Sequence, residues 1–134
     1  AFNFILIRYA EVLLTYAEAQ NEASGPDQSV YDAINQLRRR PDINMPEVPK
    51  GLTKDQMREV IRRERRIELT FEGLYYSDIL RWKTAEKENN GMMHNYDGIE
   101  VVKRSFNPKR DYLWPIPYNQ TVLNPNLEQN PNWD

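Results

Sequence analysis

Two glutamates four residues apart, Glu64 and Glu68, carry the first question this chain poses. They lie in the segment Thr53 to Gly73, whose apolar residues Met57, Val60, Ile61, Ile67 and Phe71 cluster on one side of a helix turning about 100° per residue. Both carboxylates point the same way. Their Cβ atoms would lie roughly 5–6 Å apart, a spacing compatible with the acid–base pair of a retaining glycosidase or with bridging a metal. Carboxylate metal sites on helices usually recruit histidine, and the single histidine, His94, falls in a turn-rich loop. The other way to face a carboxylate toward a core is to pair it. Arg8, Arg38, Arg65 and Arg81 are candidates, and a bidentate guanidinium contact is the strong form of such pairing. The residues favour a structural ion-pair network over catalysis.

Other chemistry is thinly supported. Arg62, Arg63 and Arg66 fall opposite the apolar stripe and read as a solvated face. With 18 basic and 20 acidic residues and a net charge of -2, nucleic acid is not an expected partner. The absence of cysteine excludes disulfides, thiolate metal sites and cysteine nucleophiles. No phosphate loop, nucleophile elbow or zinc spacing occurs, so no cofactor is implied. Trp82, Trp114, Trp133 and eight tyrosines would suit stacking on sugar C–H faces, with Asn119 or Asn132 binding hydroxyls. Core packing is the simpler use for most of them, and Tyr96 and Trp133 are the ones expected nearer the surface.

The elements that must position these residues are mainly α-helical. A first helix is expected over about 3–22, apolar around well over half its circumference and therefore covered on more than one side. Ala10, Ala17 and Ala19 permit close approach. Gly25-Pro26 breaks the chain before a second helix over 29–39, capped by Ser29 and stopped by Pro41. The third, over 54–72, has a capping box at Thr53 and Gln56, a Leu52–Met57 staple and a terminal Gly73. A fourth runs over 74–88. Beyond it, 89–134 is expected to hold loops and two or three short strands around Asp97-Gly98, Ile99-Glu-Val101 and Tyr112-Leu-Trp114. The Pro- and Asn-rich tail, with Ile116, Leu123, Leu127 and Trp133, is expected to lie plastered over a single domain of 1–134. The first two helices echo a tetratricopeptide hairpin. No apolar run is long enough to span a bilayer, and the opening lacks the marks of a signal peptide.

Six segments occur in a telling order: Arg8-Tyr-Ala-Glu-Val-Leu-Leu-Thr-Tyr-Ala-Glu-Ala19, Ala33-Ile-Asn-Gln-Leu-Arg38, Arg63-Glu-Arg-Arg-Ile-Glu-Leu-Thr-Phe-Glu-Gly73, Asp78-Ile-Leu-Arg-Trp82, Leu113-Trp-Pro-Ile-Pro117 and Asn124-Pro-Asn-Leu-Glu-Gln-Asn-Pro131. Together they resemble the C-terminal region of the SusD/RagB family of outer-membrane nutrient-binding lipoproteins of Bacteroidetes, over about Ile5 to Trp133. The resemblance implies a tetratricopeptide-like helical fold and a binding protein rather than an enzyme. It further implies lipid anchorage at the cell surface, an oligosaccharide or peptide ligand, and a TonB-dependent transporter as partner. It places acids at Glu64 and Glu68 and arginines at Arg8 and Arg81, which suits the ion-pair reading; no glycan-binding residue carries over. Family members are several times longer, with an N-terminal lipid-bearing cysteine, so this chain, beginning at Ala1, is expected to be the last part of such a protein. A tetratricopeptide-like adaptor binding protein segments is the alternative from another class.

Overall fold

The computed structural model describes residues 5–133. The chain is mainly helical and divides into two compact units, Ala1–Tyr75 and Tyr76–Asp134.

In the first unit, helix α1 spans Tyr9–Ser24, α2 Gln28–Arg38 and α3 Lys54–Glu68. The expected start of α1 at Asn3 lies outside the described residues. Ile5 to Ile7 are not helical and are exposed, and Arg8 is extended at the N-cap position. There its guanidinium is held by α3 and the turn after it. Buried Ala10, Leu14, Ala17 and Asn21 form one face of α1, at i, i+4, i+7 and i+11 spacing. That face meets α2 and α3 in two adjoining clusters. One gathers Ala17, Val30, Ile34, Val48, Met57 and Ile61; the other gathers Ala10, Leu14, Leu37 and Leu69.

Asp27, not Ser29, caps α2: its Oδ1 accepts from the Ser29 and Val30 backbone N–H groups at 2.9 and 3.2 Å. Its shorter reach places a carboxylate where the helix presents orphan donors. Thr53 and Gln56 form the expected capping box on α3. The loop between α2 and α3 is fastened to α2 by side chains. Asn35 Oδ1 accepts from Val48 N at 2.9 Å, Tyr31 Oη accepts from Leu52 N at 3.1 Å, and Arg38 donates to the Pro46 carbonyl at 2.9 Å.

Helix α3 ends four residues early, and its buried stripe is shifted. Met57, Ile61 and Arg65 are buried, whereas Ile67 is 61% exposed and Phe71 fully so. Ile67 sits roughly 110° round from the centre of the stripe. Phe71 has left the helical path altogether, with φ of 67°.

Within the second unit, the helix expected over 74–88 is two: α4, Tyr75–Arg81, and α5, Ala85–Glu88. Lys83 takes φ of 56°; its N–H donates to the Leu80 carbonyl and that of Thr84 to Ile79. This is a Schellman closure with lysine in the position glycine usually fills. Strands β1 (Gly91–His94) and β2 (Glu100–Arg104) form an antiparallel hairpin with an irregularity between Met93 and His94. His94 is thus on a strand rather than in a loop. Tyr112-Leu-Trp114 is turn, not strand, and the tail contains a short helix α6, Tyr118–Leu123. Leu123 is 77% exposed, so it does not anchor the tail. Amide side chains do: Gln129 accepts from Ile116 N at 2.7 Å and donates to Ile116 O at 2.8 Å. Asn130 and the Trp133 indole hold the Trp114 and Leu113 carbonyls at 2.6 and 2.9 Å.

Candidate functional site

Glu64 and Glu68 both meet guanidinium groups. Arg38, at the end of α2, donates to Glu64 Oε1 through Nε at 3.1 Å and again through Nη2. Glu68 receives two arginines. Arg40 reaches its two oxygens at 2.9 and 2.8 Å, and Arg8 Nη1 reaches Oε1 at 2.5 Å. Arg8 also donates to the Glu68 carbonyl and, through Nε, to both oxygens of Glu72 at 2.8 and 3.0 Å. One arginine at the entrance of α1 therefore holds the last turn of α3 and the turn beyond it. The side chains of Glu64 and Glu68 are only 12% and 15% exposed.

Charge and burial act in opposite senses on Glu68. Burial pushes its carboxyl up, but the hydrogen bonds and charges of Arg8 and Arg40 outweigh burial and hold it below the ordinary carboxylate range. The Glu72 hydrogen bond does most to raise Arg8, which stays cationic. Such a carboxylate is ionised and saturated with donors, a poor proton donor and a poor free base.

Among the described residues no three histidine, cysteine or acidic side chains gather as a metal site would require. Of the candidate arginines, Arg65 is buried and donates to Thr15 Oγ1 at 3.0 Å. Arg81 lies in the second unit, where its Nε donates to buried Asp78 on the same helix at 2.9 Å. Arg40 and Glu72 were not singled out from sequence. The available signal for Arg40 was Pro41, which turns residue 40 out of the helical path and leaves its guanidinium free to cross to α3. A further surface pair has the same design: Arg58 chelates Glu22 at 2.5 and 2.7 Å, tying α3 to the end of α1.

The aromatic residues divide differently from expectation. Trp114 is 70% exposed, with the ring of Tyr76 edge-on at 6.2 Å. Tyr96 at the hairpin tip is 97% exposed. Trp133 is half-buried, its ring covered by the Arg110 guanidinium at 4.5 Å. Tyr112 packs edge-on against buried Phe106 at 4.9 Å.

The SusD family profile matches residues 2–133. SusD-like protein P2 of Formosa agariphila is 37% identical over 133 residues, 96% of this chain and 25% of that one. A SusD-like carbohydrate binding protein of Bacteroides fragilis superposes with a TM-score of 0.82 at 37% identity, covering 92% of this chain and 28% of its own. A second SusD-like protein of that species gives 0.81 at 31% identity, over 98% and 26%. The chain thus spans about a quarter of the length of these relatives. With near-complete coverage by the profile and the same helical fold, this chain belongs to the SusD family.

Proposed function

We propose that this chain is the C-terminal helical scaffold of a cell-surface glycan-binding protein, and that its work is mechanical rather than catalytic. The observation that carries the reading is the arginine–glutamate lattice. Arg8, Arg38 and Arg40 converge on Glu64, Glu68 and Glu72, so the two acids that might have done chemistry are engaged in holding helices together. Arg81, paired with Asp78, serves the same purpose in the second unit. Family membership and the carbohydrate-binding description of a structural relative support an oligosaccharide, or alternatively a peptide, as the ligand of the whole protein. They also support lipid anchorage in the outer membrane and cooperation with a TonB-dependent transporter.

The test is a binding screen of the full-length parent against polysaccharides and peptides, with the 134-residue chain assayed beside it. The parent is expected to bind a glycan and the isolated chain to bind it at least a hundredfold more weakly. Tight binding by the isolated chain would move the ligand contacts into these residues. Turnover of a glycoside, lost in E64Q or E68Q variants that still fold, would replace the reading with hydrolysis.

A further inference from the structure

Helix α1 carries a second apolar face that nothing in the described residues covers. Tyr9, Val12, Tyr16, Ala19 and Ala23 recur at alternating spacings of three and four. That is the a/d pattern of a helix seam, distinct from the buried Ala10, Leu14, Ala17 and Asn21 face. All five are exposed: Tyr9 63%, Val12 50% and Tyr16 46%, with both alanines also open. A helix about 24 Å long thus presents one packed side and one bare seam.

We propose that this seam receives an amphipathic helix from the remainder of a SusD-family chain. The inference rests on the scaffold reading above and names the surface through which the scaffold joins its parent. About three-quarters of each relative lies outside the region matched here, which leaves ample chain to supply such a helix. Stacked helical repeats bury their faces against neighbours, each contacting only the next. The seam is also too small for two free molecules to hold together: five side chains, two of them alanines, against roughly 20–30 residues a side in a standard interface. A helix in the same chain needs less contact, because tethering gives it a high effective concentration. The seam tapers from tyrosine to alanine, so the incoming helix places small residues against Tyr9 and Tyr16 and larger ones against Ala19 and Ala23.

The chain contains no cysteine, so V12C, A19C and, as an exposed loop control, K50C each give a single thiol in it. Maleimide labelling at these positions, followed by peptide mass spectrometry, is compared in the 134-residue chain and in a chimera where this chain replaces the matching quarter of Formosa agariphila P2. Expected are rates like that of K50C in the short chain. In the chimera, V12C and A19C slow at least tenfold while K50C is unchanged. Equal rates in both proteins overturn the proposal. Protection in the short chain that grows with its concentration also overturns it, making a second copy the occupant. The V12E/Y16E variant is a second reading: it should leave the urea midpoint of the short chain unchanged and lower that of the chimera. No shift in the chimera, or a chimera that does not fold, counts against the proposal. No glycan enters these measurements, so they stand or fall separately from the ligand screen.

Discussion

Arg40 and Glu68 form a two-pronged contact across 28 residues, Nη1 on Oε1 at 2.9 Å and Nη2 on Oε2 at 2.8 Å. Arg8 enters the same carboxylate from the start of α1. Removing Glu68 leaves two guanidinium groups facing each other without their counter-ion. Breaking a buried pair costs about 3–5 kcal/mol. Arg8 and Arg40 keep 28% and 37% of their side-chain surface, so water recovers part of the loss. Glu68→Ala is expected to destabilise by about 2–3 kcal/mol on that principle, read as a lower urea midpoint at unchanged slope. A change below about 0.5 kcal/mol, the range of ordinary surface substitutions, would show that the contact is ornamental.

Acid should weaken the first unit through the same residue. The Glu68 carboxyl sits below its ordinary value in the fold, because Arg8 and Arg40 together overcome the upward push of burial. A depressed folded value gives stability that is complete above the unfolded carboxylate value, about 4.3, and is lost as pH falls through the folded one. Glu22, held down chiefly by the Arg58 hydrogen bond, contributes in the same sense. Urea midpoints should fall below about pH 4–5, with E68Q showing a shallower decline than the parent. Parallel profiles would assign the acid sensitivity elsewhere.

Arg38 and Glu64 separate scaffold from catalyst. Each is largely buried, so R38A or E64A strands a partner, whereas R38M/E64L replaces both charges with apolar bulk. Such replacements are often neutral or stabilising. The singles should cost several-fold more stability than the double variant, with a coupling of about 0.5–3 kcal/mol. A double variant as unstable as the sum of the singles would deny that the pair acts as a unit.

Much of this was legible in the sequence because the signals were local. The capping box at Thr53, the Gly25-Pro26 break and the inward side of Glu64 and Glu68 all follow from spacing within one or two turns. Arg40 was not legible, since its partner lies 28 residues away and only the tertiary fold brings them together. Ile67 and Phe71 looked like core because hydrophobic type was read without knowing that α3 stops at Glu68. The Lys83 turn gave no glycine to announce it. In the tail, apolar residues drew the eye, yet the fastening is by Gln129 and Asn130, amides whose backbone targets no periodicity encodes. The heptad along α1 was hidden by a helix apolar nearly all round, until burial separated its two faces.

The cap of α2 supplies a sharper check on local reading. Asp27 takes both backbone donors, while the Ser29 hydroxyl bonds to Asp27 at 2.5 Å and to Tyr16 at 2.8 Å. Asp27→Ala should cost about 1 kcal/mol, the usual loss of an N-cap. Ser29→Ala should cost less than half of that, because no orphan N–H is released. The reverse order in thermal melts would return the capping role to Ser29.

Gln129 offers the corresponding test in the second unit. Its side-chain amide pairs with the N–H and carbonyl of Ile116 as a neighbouring strand would, and its Oε1 also accepts from Asn130 N at 2.8 Å. The segment it holds, Trp114 to Pro117, has little apolar burial: only Ile116 escapes full exposure. With so few contacts, local opening is governed by these hydrogen bonds, each worth about 0.5–1.5 kcal/mol net. Gln129→Ala removes both bonds to Ile116 and should raise the hydrogen-exchange rate of the Ile116 amide about tenfold, equivalent to about 1.4 kcal/mol. Limited proteolysis should cut faster between Leu113 and Trp133, with the α1–α3 amides unchanged. Gln129→Glu is the informative control, since it keeps the acceptor for Ile116 N and loses the donor to Ile116 O. Half the effect is therefore expected from it, and an unaltered Ile116 amide in both variants would mean that the tail is fastened by something other than this clasp.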